Sequence, residues 1–315
     1  MTEPQLVLGT MAFGDTVDEP RAAELLKVAL ESGIMSIDTA NVYTDGASEQ
    51  LLARVLPADR SDLTIATKVG IPHPDAEGRA PLSADAIRLC VSGSLRRLRS
   101  ERIDVLYLHC PDPATAMEDT ISTLLELVED GLVGSIGVSN FAAWQIEQIR
   151  HLIGDSSVLH GLTAQQLYSP VARRLEDEYG GFALARELPT FAYNPLAGGI
   201  LTGRHRLSDD PREGRFSTSR LGGIYRERYW NEPVFDAAQR LDVVASSAGI
   251  GLAELSLRWV ASSPFITGIV LGGSRAEHIV ENVTALAKGP LDEDVMVEVD
   301  QATKSLRGAM LSYNR

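Results

Sequence analysis

Short apolar runs alternate with longer stretches of helical periodicity along the whole chain. The apolar run at 36–38 precedes a periodic stretch at 48–55, and the run at 63–68 precedes another at 83–98. Runs this short suit buried strands, and the stretches after them suit amphipathic helices that cover a sheet. The predicted strands are 6–8, 36–38, 63–68, 103–109, 133–138, 162–166, 190–193 and 268–271, and the predicted helices are 19–31, 48–55, 83–98, 116–129, 142–152, 172–186, 234–247, 252–260 and 276–286.

Eight strand–helix units without a break in composition predict a (β/α)8 TIM barrel. A doubly wound sheet would instead carry a G-x-G-x-x-G turn after an early strand, and Gly9 and Gly14 have the wrong spacing for it. We therefore expect a single domain over residues 1–315. It should have a long Gly- and Arg-rich loop after strand 7 and a C-terminal segment over the barrel mouth. The aromatic part of that loop, 224–230, could serve a pocket, a homo-oligomer interface or both.

The composition narrows the partners and the compartment. A formal net charge of −14 over 315 residues argues against nucleic acid and anionic membranes. The chain has no apolar run of about 18 residues that could span a membrane, and its first residues lack the pattern of a signal peptide. Two cysteines cannot build a disulfide framework, and the six histidines show no paired metal-ligand spacing. We expect a cytoplasmic protein without a metal, which disfavours a metal-dependent barrel hydrolase or isomerase.

Polar residues stand where predicted strands meet their loops, which is where barrels place active sites. Asp38, Lys68 and His109 end three successive strands, and Tyr43 follows the first of them. Each has an ordinary alternative, respectively a turn aspartate, a solvated edge lysine, a core histidine and a half-buried loop tyrosine. Their joint placement favours a site that gives a proton to a carbonyl.

Carbonyl reduction needs a hydride donor and a proton donor, and side chains supply only the proton. Tyr43 is the candidate donor, and we expect the Lys68 ammonium to lower the pKa of its phenol. Asp38 would keep Lys68 charged and oriented. His109 would hydrogen-bond the carbonyl oxygen and stabilise its developing charge.

These residues, with their surroundings, resemble the aldo-keto reductases nearly end to end. Asp38, Tyr43, Lys68 and His109 match that family's proton-donor tetrad, and residues 8–11 and 136–141 match its opening segment and its G-[LV]-S-N-[FY] strand end. Longer strings are similar to the subgroup of aflatoxin-aldehyde and succinic-semialdehyde reductases. They are YLHCPD at 107–112, FAYNPLAGG at 191–199, LTGR at 201–204 and YRERYW at 225–230.

The resemblance implies NADPH as the cofactor, bound without a dinucleotide fingerprint. It assigns the nicotinamide carboxamide to Ser139, Asn140 and Gln165, and stacking on the ring to Tyr193, a position that is commonly Phe in near relatives. Ser274, Arg275 and His278 are the candidates for binding the adenosine 2′-phosphate, because Gly-Gly-Ser before a helix offers free N–H groups to an anion. Further implied cofactor contacts are Asn194, Leu196, Gly198, Arg204, Gly272, Glu281 and Asn282.

The expected substrate is a small-molecule aldehyde or ketone in an aromatic, apolar mouth. The candidate substrate residues are Met11, Phe13, Tyr225, Arg228, Trp230 and Arg315, with His73 beside them. Arg315 could meet a substrate carboxylate or could be a solvated chain end. Asp15, where near relatives carry basic residues, weakens the case for succinic semialdehyde and leaves a larger neutral ketone as a competitor. Some aldo-keto reductase barrels are NADP-binding regulatory subunits of channels, and this second class of function stays open.

Overall fold

Parallel strands close into a barrel in this computed structural model, which describes residues 3–211, 214–217 and 222–307. Within these ranges, eight strands follow one another around the barrel in chain order, and the last pairs with the first. The predicted (β/α)8 architecture is therefore confirmed. The strands are β1 (Gln5–Gly9), β2 (Ser36–Asp38), β3 (Thr64–Val69), β4 (Ile103–Leu108), β5 (Val133–Ser139), β6 (Thr163–Leu167), β7 (Thr190–Tyr193) and β8 (Gly268–Leu271).

Helices follow the strands and cover the barrel. Their apolar faces are buried against it; in α1, for example, Ala22, Leu25, Leu26 and Ala29 are buried while Asp18 caps the first turn by accepting from Arg21 N at 3.2 Å. The helices are α1 (Glu19–Glu31), α2 (Ala47–Val55), α3 (Ala84–Leu98), α4 (Met117–Glu129), α5 (Ala143–Ile153), α6 (Ser157–His160), α7 (Tyr179–Ala185), α8 (Gly222–Tyr229), α9 (Glu232–Ser247), α10 (Leu252–Ala261), α11 (Ala276–Leu286) and α12 (Glu293–Thr303).

The pleat of β3 divides its side chains between the barrel interior and the helices. Lys68 points inward, to Asp38 at the end of β2, whereas Thr67 points outward and donates to Glu49 of α2 at 2.6 Å. This alternation is the period of two that strands impose. It carries the polar groups at the ends of β2 and β3 to one mouth of the barrel.

Two segments differ from their sequence predictions. The predicted helix 172–186 is a 3-10 turn at Arg174–Glu176 followed by the shorter α7. Arg173 fixes that turn with two bonds to the Glu176 carboxylate, both at 2.8 Å. The segment 224–230, predicted as loop, lies largely in α8, because Tyr225 and Tyr229 are four residues apart and bury one helical face.

The chain beyond β8 adds a helix that the periodicity did not predict. The helix α12 packs against α9, where Arg240 Nε donates to Ala302 O at 2.8 Å. The predicted segment over the mouth, including Arg315, lies outside the described residues. No single helix in the described ranges is long and apolar enough to cross a membrane; α9 and α10 meet that test only as a pair bent by 92°.

Candidate active site

Asp38, Lys68, Tyr43 and His109 meet at the C-terminal mouth of the barrel. The Lys68 ammonium donates to Asp38 Oδ2 at 2.5 Å, to the Thr39 carbonyl at 3.0 Å and to the Tyr43 hydroxyl at 3.3 Å. The His109 ring stands edge-on to the Tyr43 ring, with 5.8 Å between centroids. The structure thus brings the four predicted residues into one cluster.

A tight reversal of the chain carries Tyr43 over the barrel. Asn41 N donates to Lys68 O at 3.2 Å, and Tyr43 N donates to Ala40 O at 3.2 Å. Thr44 and Asp45 then take left-handed backbone angles, with φ of 51° and 50°, before α2 begins. Left-handed residues other than glycine are uncommon and cluster at functional sites. The turn that carries Tyr43 therefore has a defined backbone conformation that few residue types adopt.

Lys68 is a fully enclosed ammonium with one strong counter-ion. Its side chain is 1% exposed, and burial lowers its pKa from the ordinary value although Asp38 acts in the opposite direction. Gln165 Nε2 donates to the other oxygen of Asp38 at 2.9 Å. Both carboxylate oxygens of Asp38 therefore accept from donors on other strands, which fixes the direction of the ion pair.

The pKa of Tyr43 is raised well above its ordinary value, so the expectation that Lys68 lowers it is wrong for this structure. Burial is the largest cause, and the negative charge of Asp38 is the next. Because the Lys68 charge is paired with Asp38, its attraction for a Tyr43 phenolate does not outweigh burial and the Asp38 charge. Tyr43 is accordingly a neutral phenol at physiological pH, in the protonation state that a proton donor needs.

His109 is a neutral imidazole held in a dry position. Burial, with a smaller contribution from the Lys68 charge, lowers its pKa to about 3. Its Nδ1 atom is buried and has no hydrogen-bond partner in the described parts of the chain. The ring can therefore act as a neutral hydrogen-bonding group beside Tyr43 across the physiological pH range.

A second polar cluster follows β5, β6 and β7. Asn140, with φ of 63°, donates from Nδ2 to His109 O at 2.9 Å and to Ser139 Oγ at 3.1 Å, and its Oδ1 accepts from the Tyr193 hydroxyl at 2.5 Å. Tyr193, whose pKa burial raises to about 12, stands beside Arg228. Three of the four residues predicted to hold nicotinamide are thus joined to one another. Gln165, the fourth, is joined instead to Asp38.

The loop after β7 and the start of α11 form an open, cationic rim. A Cβ added at Gly272 would meet no atom within 4 Å, and one at Gly199 would meet only a His205 atom, at 3.8 Å. Arg204 Nη1 lies 3.1 Å from His278 Nε2, and this contact joins the loop after β7 to α11. Arg275 is exposed at the N-cap of α11. Free space, two cations and a helix N-terminus fit an anionic nucleotide.

The remaining predicted cofactor residues divide between that rim and the packed core. Asn194 and Tyr225 exchange hydrogen bonds of 2.9 and 3.1 Å, and a Cβ at Gly198 would come within 2.7 Å of the Tyr225 ring. The absence of a side chain at Gly198 is what admits that ring. Leu196 is partly buried, Ser274 is partly exposed, Glu281 is exposed and Asn282 is buried.

The predicted substrate residues are only partly brought together. Met11 and Tyr225 meet at Arg215, whose Nη1 lies 3.5 Å from Met11 Sδ and 3.1 Å from the Tyr225 hydroxyl. Arg215 was not predicted, because nothing in its irregular segment marks it. Trp230 packs against Phe216 and Phe235, with ring centroids 5.0 Å apart in both cases, and Phe216 separates it from Tyr225. Phe13 is 1% exposed and belongs to the core.

Comparison with known proteins identifies relatives of this chain. The aldo/keto reductase family model matches residues 5–304. Aflatoxin B1 aldehyde reductase member 2 of Rattus norvegicus is 31% identical over 312 residues, covering 95% of this chain and 84% of that protein. Aldo-keto reductase family 7 member A3 of Homo sapiens is also 31% identical over 312 residues, covering 95% and 93% of the two chains.

Two further proteins extend the comparison. A probable voltage-gated potassium channel subunit beta of Oryza sativa subsp. japonica is 29% identical over 310 residues, covering 96% of this chain and 93% of that one. The solved structure of the glycerol dehydrogenase AKR11B4 from Gluconobacter oxydans shares the fold, with a TM-score of 0.79 at 24% identity over 99% of this chain and 94% of the other. Because the family model matches residues 5–304 and the two reductases are 31% identical over 95% of this chain, the chain belongs to the aldo/keto reductase family.

Proposed function

We propose that this chain is an NADPH-dependent reductase of aldehydes or ketones in which Tyr43 gives the proton. The observation that carries the proposal is the hydrogen-bonded series Asp38–Lys68–Tyr43, with successive contacts of 2.5 and 3.3 Å and the neutral His109 ring beside the phenol. A phenol, an ammonium and an imidazole at one mouth can polarise a carbonyl oxygen and neutralise it.

The cofactor would supply a hydride when bound. Ser139, Asn140 and Tyr193 are the residues that would orient its nicotinamide, and Arg204, Arg275 and His278 those that would meet its phosphates. Arg275 favours NADPH over NADH in this proposal, because a guanidinium suits a phosphate dianion.

The chain's own residues have separate tasks around the carbonyl oxygen. Tyr43 holds a proton on its hydroxyl and passes it to that oxygen as negative charge develops there. Lys68 hydrogen-bonds the Tyr43 oxygen and stabilises the phenolate that remains. Asp38 keeps the buried ammonium charged and aimed, and His109 hydrogen-bonds the carbonyl oxygen before and during the transfer. A raised ground-state pKa at Tyr43 suits this direction, since the donor stays protonated until the alkoxide forms.

A steady-state assay tests the proposal directly. The purified chain is mixed with NADPH or NADH and a panel of carbonyl compounds that includes 4-nitrobenzaldehyde, and the absorbance at 340 nm is followed. We expect NADPH oxidation that depends on the carbonyl compound and is faster than with NADH. No oxidation above background with any member of the panel contradicts the proposal.

A regulatory role is the second candidate, favoured by the similarity to the rice potassium channel beta subunit. In that case the chain would bind NADPH tightly, measured by quenching of its tryptophan fluorescence, and would turn over slowly or not at all. Tight binding without carbonyl-dependent oxidation would support the sensor, and tight binding with turnover would support the reductase.

A further inference from the structure

A buried guanidinium ties the region of the Tyr43 turn to the body of the barrel. Arg97 of α3 donates from Nε to Glu49 Oε2 at 2.6 Å and from Nη1 to Asp75 Oδ2 at 2.7 Å. Glu49 is fully buried in the first turn of α2, and its other oxygen accepts from Thr67 of β3 at 2.6 Å. One side chain therefore links α2, α3 and the loop after β3, with β3 joined through Glu49.

Two glycines leave the space in which this network forms. A Cβ added at Gly46, the last residue of the Tyr43 turn, would lie 2.6 Å from Cδ and Nε of Arg97. A Cβ added at Gly93, one helical turn before Arg97, would lie 2.1 Å from Asp75 Oδ2. The guanidinium thus packs directly on the backbone of the turn, and the Asp75 carboxylate packs on the backbone of α3.

We propose that Arg97 is a positioning residue: through its contact with Gly46 and its pairing with Glu49, it holds the turn 43–46 so that the Tyr43 hydroxyl stays bonded to Lys68. The inference rests on the proposed reductase function. Glu49 lies six positions after Tyr43, and Thr67 lies beside Lys68 in β3. The network therefore contacts both the segment that follows Tyr43 and the strand that carries Lys68.

The Tyr43–Lys68 contact is sensitive to such support. At 3.3 Å it is near the long end of hydrogen-bond distances, so a small outward movement of the turn breaks it. A misplacement of about 1 Å at a reacting group can cost on the order of 100-fold in rate. A buried ion pair adds little net stability over well-packed apolar residues, so its contribution here is a fixed geometry of the turn.

The test uses Arg97→Ala and Arg97→Lys, with Arg88→Ala as the matched control. Arg88 is also on α3, but it pairs with Glu126 on the exposed side. We expect Arg97→Ala to lower kcat for aldehyde reduction roughly 10- to 100-fold per folded molecule. NADPH affinity should stay within about twofold, because the proposed cofactor contacts come from β5 to β8 and their loops. Arg97→Lys should lose less, and Arg88→Ala should match the parent.

Two readouts separate positioning from simple stabilisation. The solvent deuterium isotope effect on kcat should rise in Arg97→Ala, because proton transfer from a displaced phenol becomes slower relative to the other steps. Millimolar guanidinium chloride should restore part of the lost kcat in Arg97→Ala, and sodium chloride at the same concentration should not. Activity loss that only follows the unfolded fraction, with an unchanged isotope effect and no rescue, overturns the inference.

A structural measurement keeps the inference independent of turnover. Crystal structures of Arg97→Ala and Arg97→Lys give this measurement. In Arg97→Ala we expect the Tyr43 hydroxyl to lie beyond hydrogen-bond distance of Lys68 Nζ. An unmoved turn 43–46 in Arg97→Ala contradicts the inference even if the parent chain reduces no carbonyl compound. If the parent is active and the Arg97→Ala turn is unmoved, positioning by Arg97 fails while the reductase proposal stands.

Discussion

Replacing Asp38 by Asn should remove the negative charge that pairs with the buried Lys68 ammonium. Asp38 is 3% exposed, and its two oxygens accept from Lys68 Nζ at 2.5 Å and from Gln165 Nε2 at 2.9 Å. An asparagine has one acceptor oxygen and an NH2 group that only donates. With its oxygen turned to Lys68, its NH2 group faces Gln165, whose own amide must turn to accept from it. Asp38→Asn therefore removes the negative charge beside the ammonium.

The magnitude follows from the geometry of the pair. At 2.5 Å and an effective dielectric constant of about 20, the direct attraction is about 7 kcal/mol, much of which offsets the cost of dehydrating both ions. Removing one partner of a buried pair costs about 3–5 kcal/mol, because the other charge stays buried and unpaired. We expect Asp38→Asn to lower the free energy of unfolding by that amount at pH 7.

The loss of unfolding free energy in Asp38→Asn should also become smaller as the pH rises. Burial already places the pKa of folded Lys68 below its ordinary value of 10.5, and loss of the Asp38 charge lowers it further. Between the folded and unfolded values the unfolded chain binds the additional proton, so stability rises with pH in that window. The penalty in Asp38→Asn is therefore fully present below the folded pKa of Lys68 and disappears as the pH approaches 10.5.

Urea unfolding followed by the fluorescence of Trp144, Trp230 and Trp259 measures both effects. Glu19→Gln is the control, because Glu19 meets Arg54 in an exposed pair at 2.7 Å and should matter little. The double variant Asp38→Asn/Lys68→Met should be more stable than Asp38→Asn alone. A loss below about 1 kcal/mol in Asp38→Asn, flat from pH 7 to pH 10, would refute this reasoning.

Three further outcomes are expected. First, kcat/KM for carbonyl reduction should show no alkaline decline from Tyr43 until above pH 10, because the raised pKa keeps the phenol protonated; an alkaline midpoint below pH 9 that vanishes in Tyr43→Phe contradicts this. Second, His109 should stay neutral from pH 5 to pH 8, since its pKa is lowered to about 3; an NMR titration midpoint near 6.5 would count against it. Third, Arg275→Ala should weaken NADPH roughly 10- to 100-fold and NADH much less, as measured by fluorescence titration; equal losses exclude the phosphate contact.

The barrel and the tetrad could be predicted because their signals are local. Each strand is a short apolar run, and the C-terminal ends of parallel strands must share one mouth, so Asp38, Lys68 and His109 converge without knowledge of any tertiary contact. The helix α8 was missed because it begins with two glycines and carries three charged residues. Its packing rests on Tyr225, whose hydroxyl accepts from Asn194, a residue 31 positions away.

The electrostatics of the site could not be predicted from spacing. The pKa of Tyr43 depends on how deeply the phenol is enclosed and on which group neutralises Lys68, and both are properties of the closed barrel. Arg97 illustrates the same limit. It follows Arg96 in an amphipathic helix, yet Arg96 is exposed while Arg97 is buried against Glu49, a residue 48 positions away.

The central claim, that the Tyr43 hydroxyl is the proton donor, is tested most directly by Tyr43→Phe. The variant keeps the ring beside His109 and removes only the hydroxyl that Lys68 contacts at 3.3 Å. Tyr179→Phe is the control, because that hydroxyl bonds Thr190 at the start of β7, far from the mouth. We predict that Tyr43→Phe binds NADPH as the parent does and reduces aldehydes on the order of 10²- to 10⁴-fold more slowly. Undiminished kcat in a correctly folded Tyr43→Phe would contradict the account.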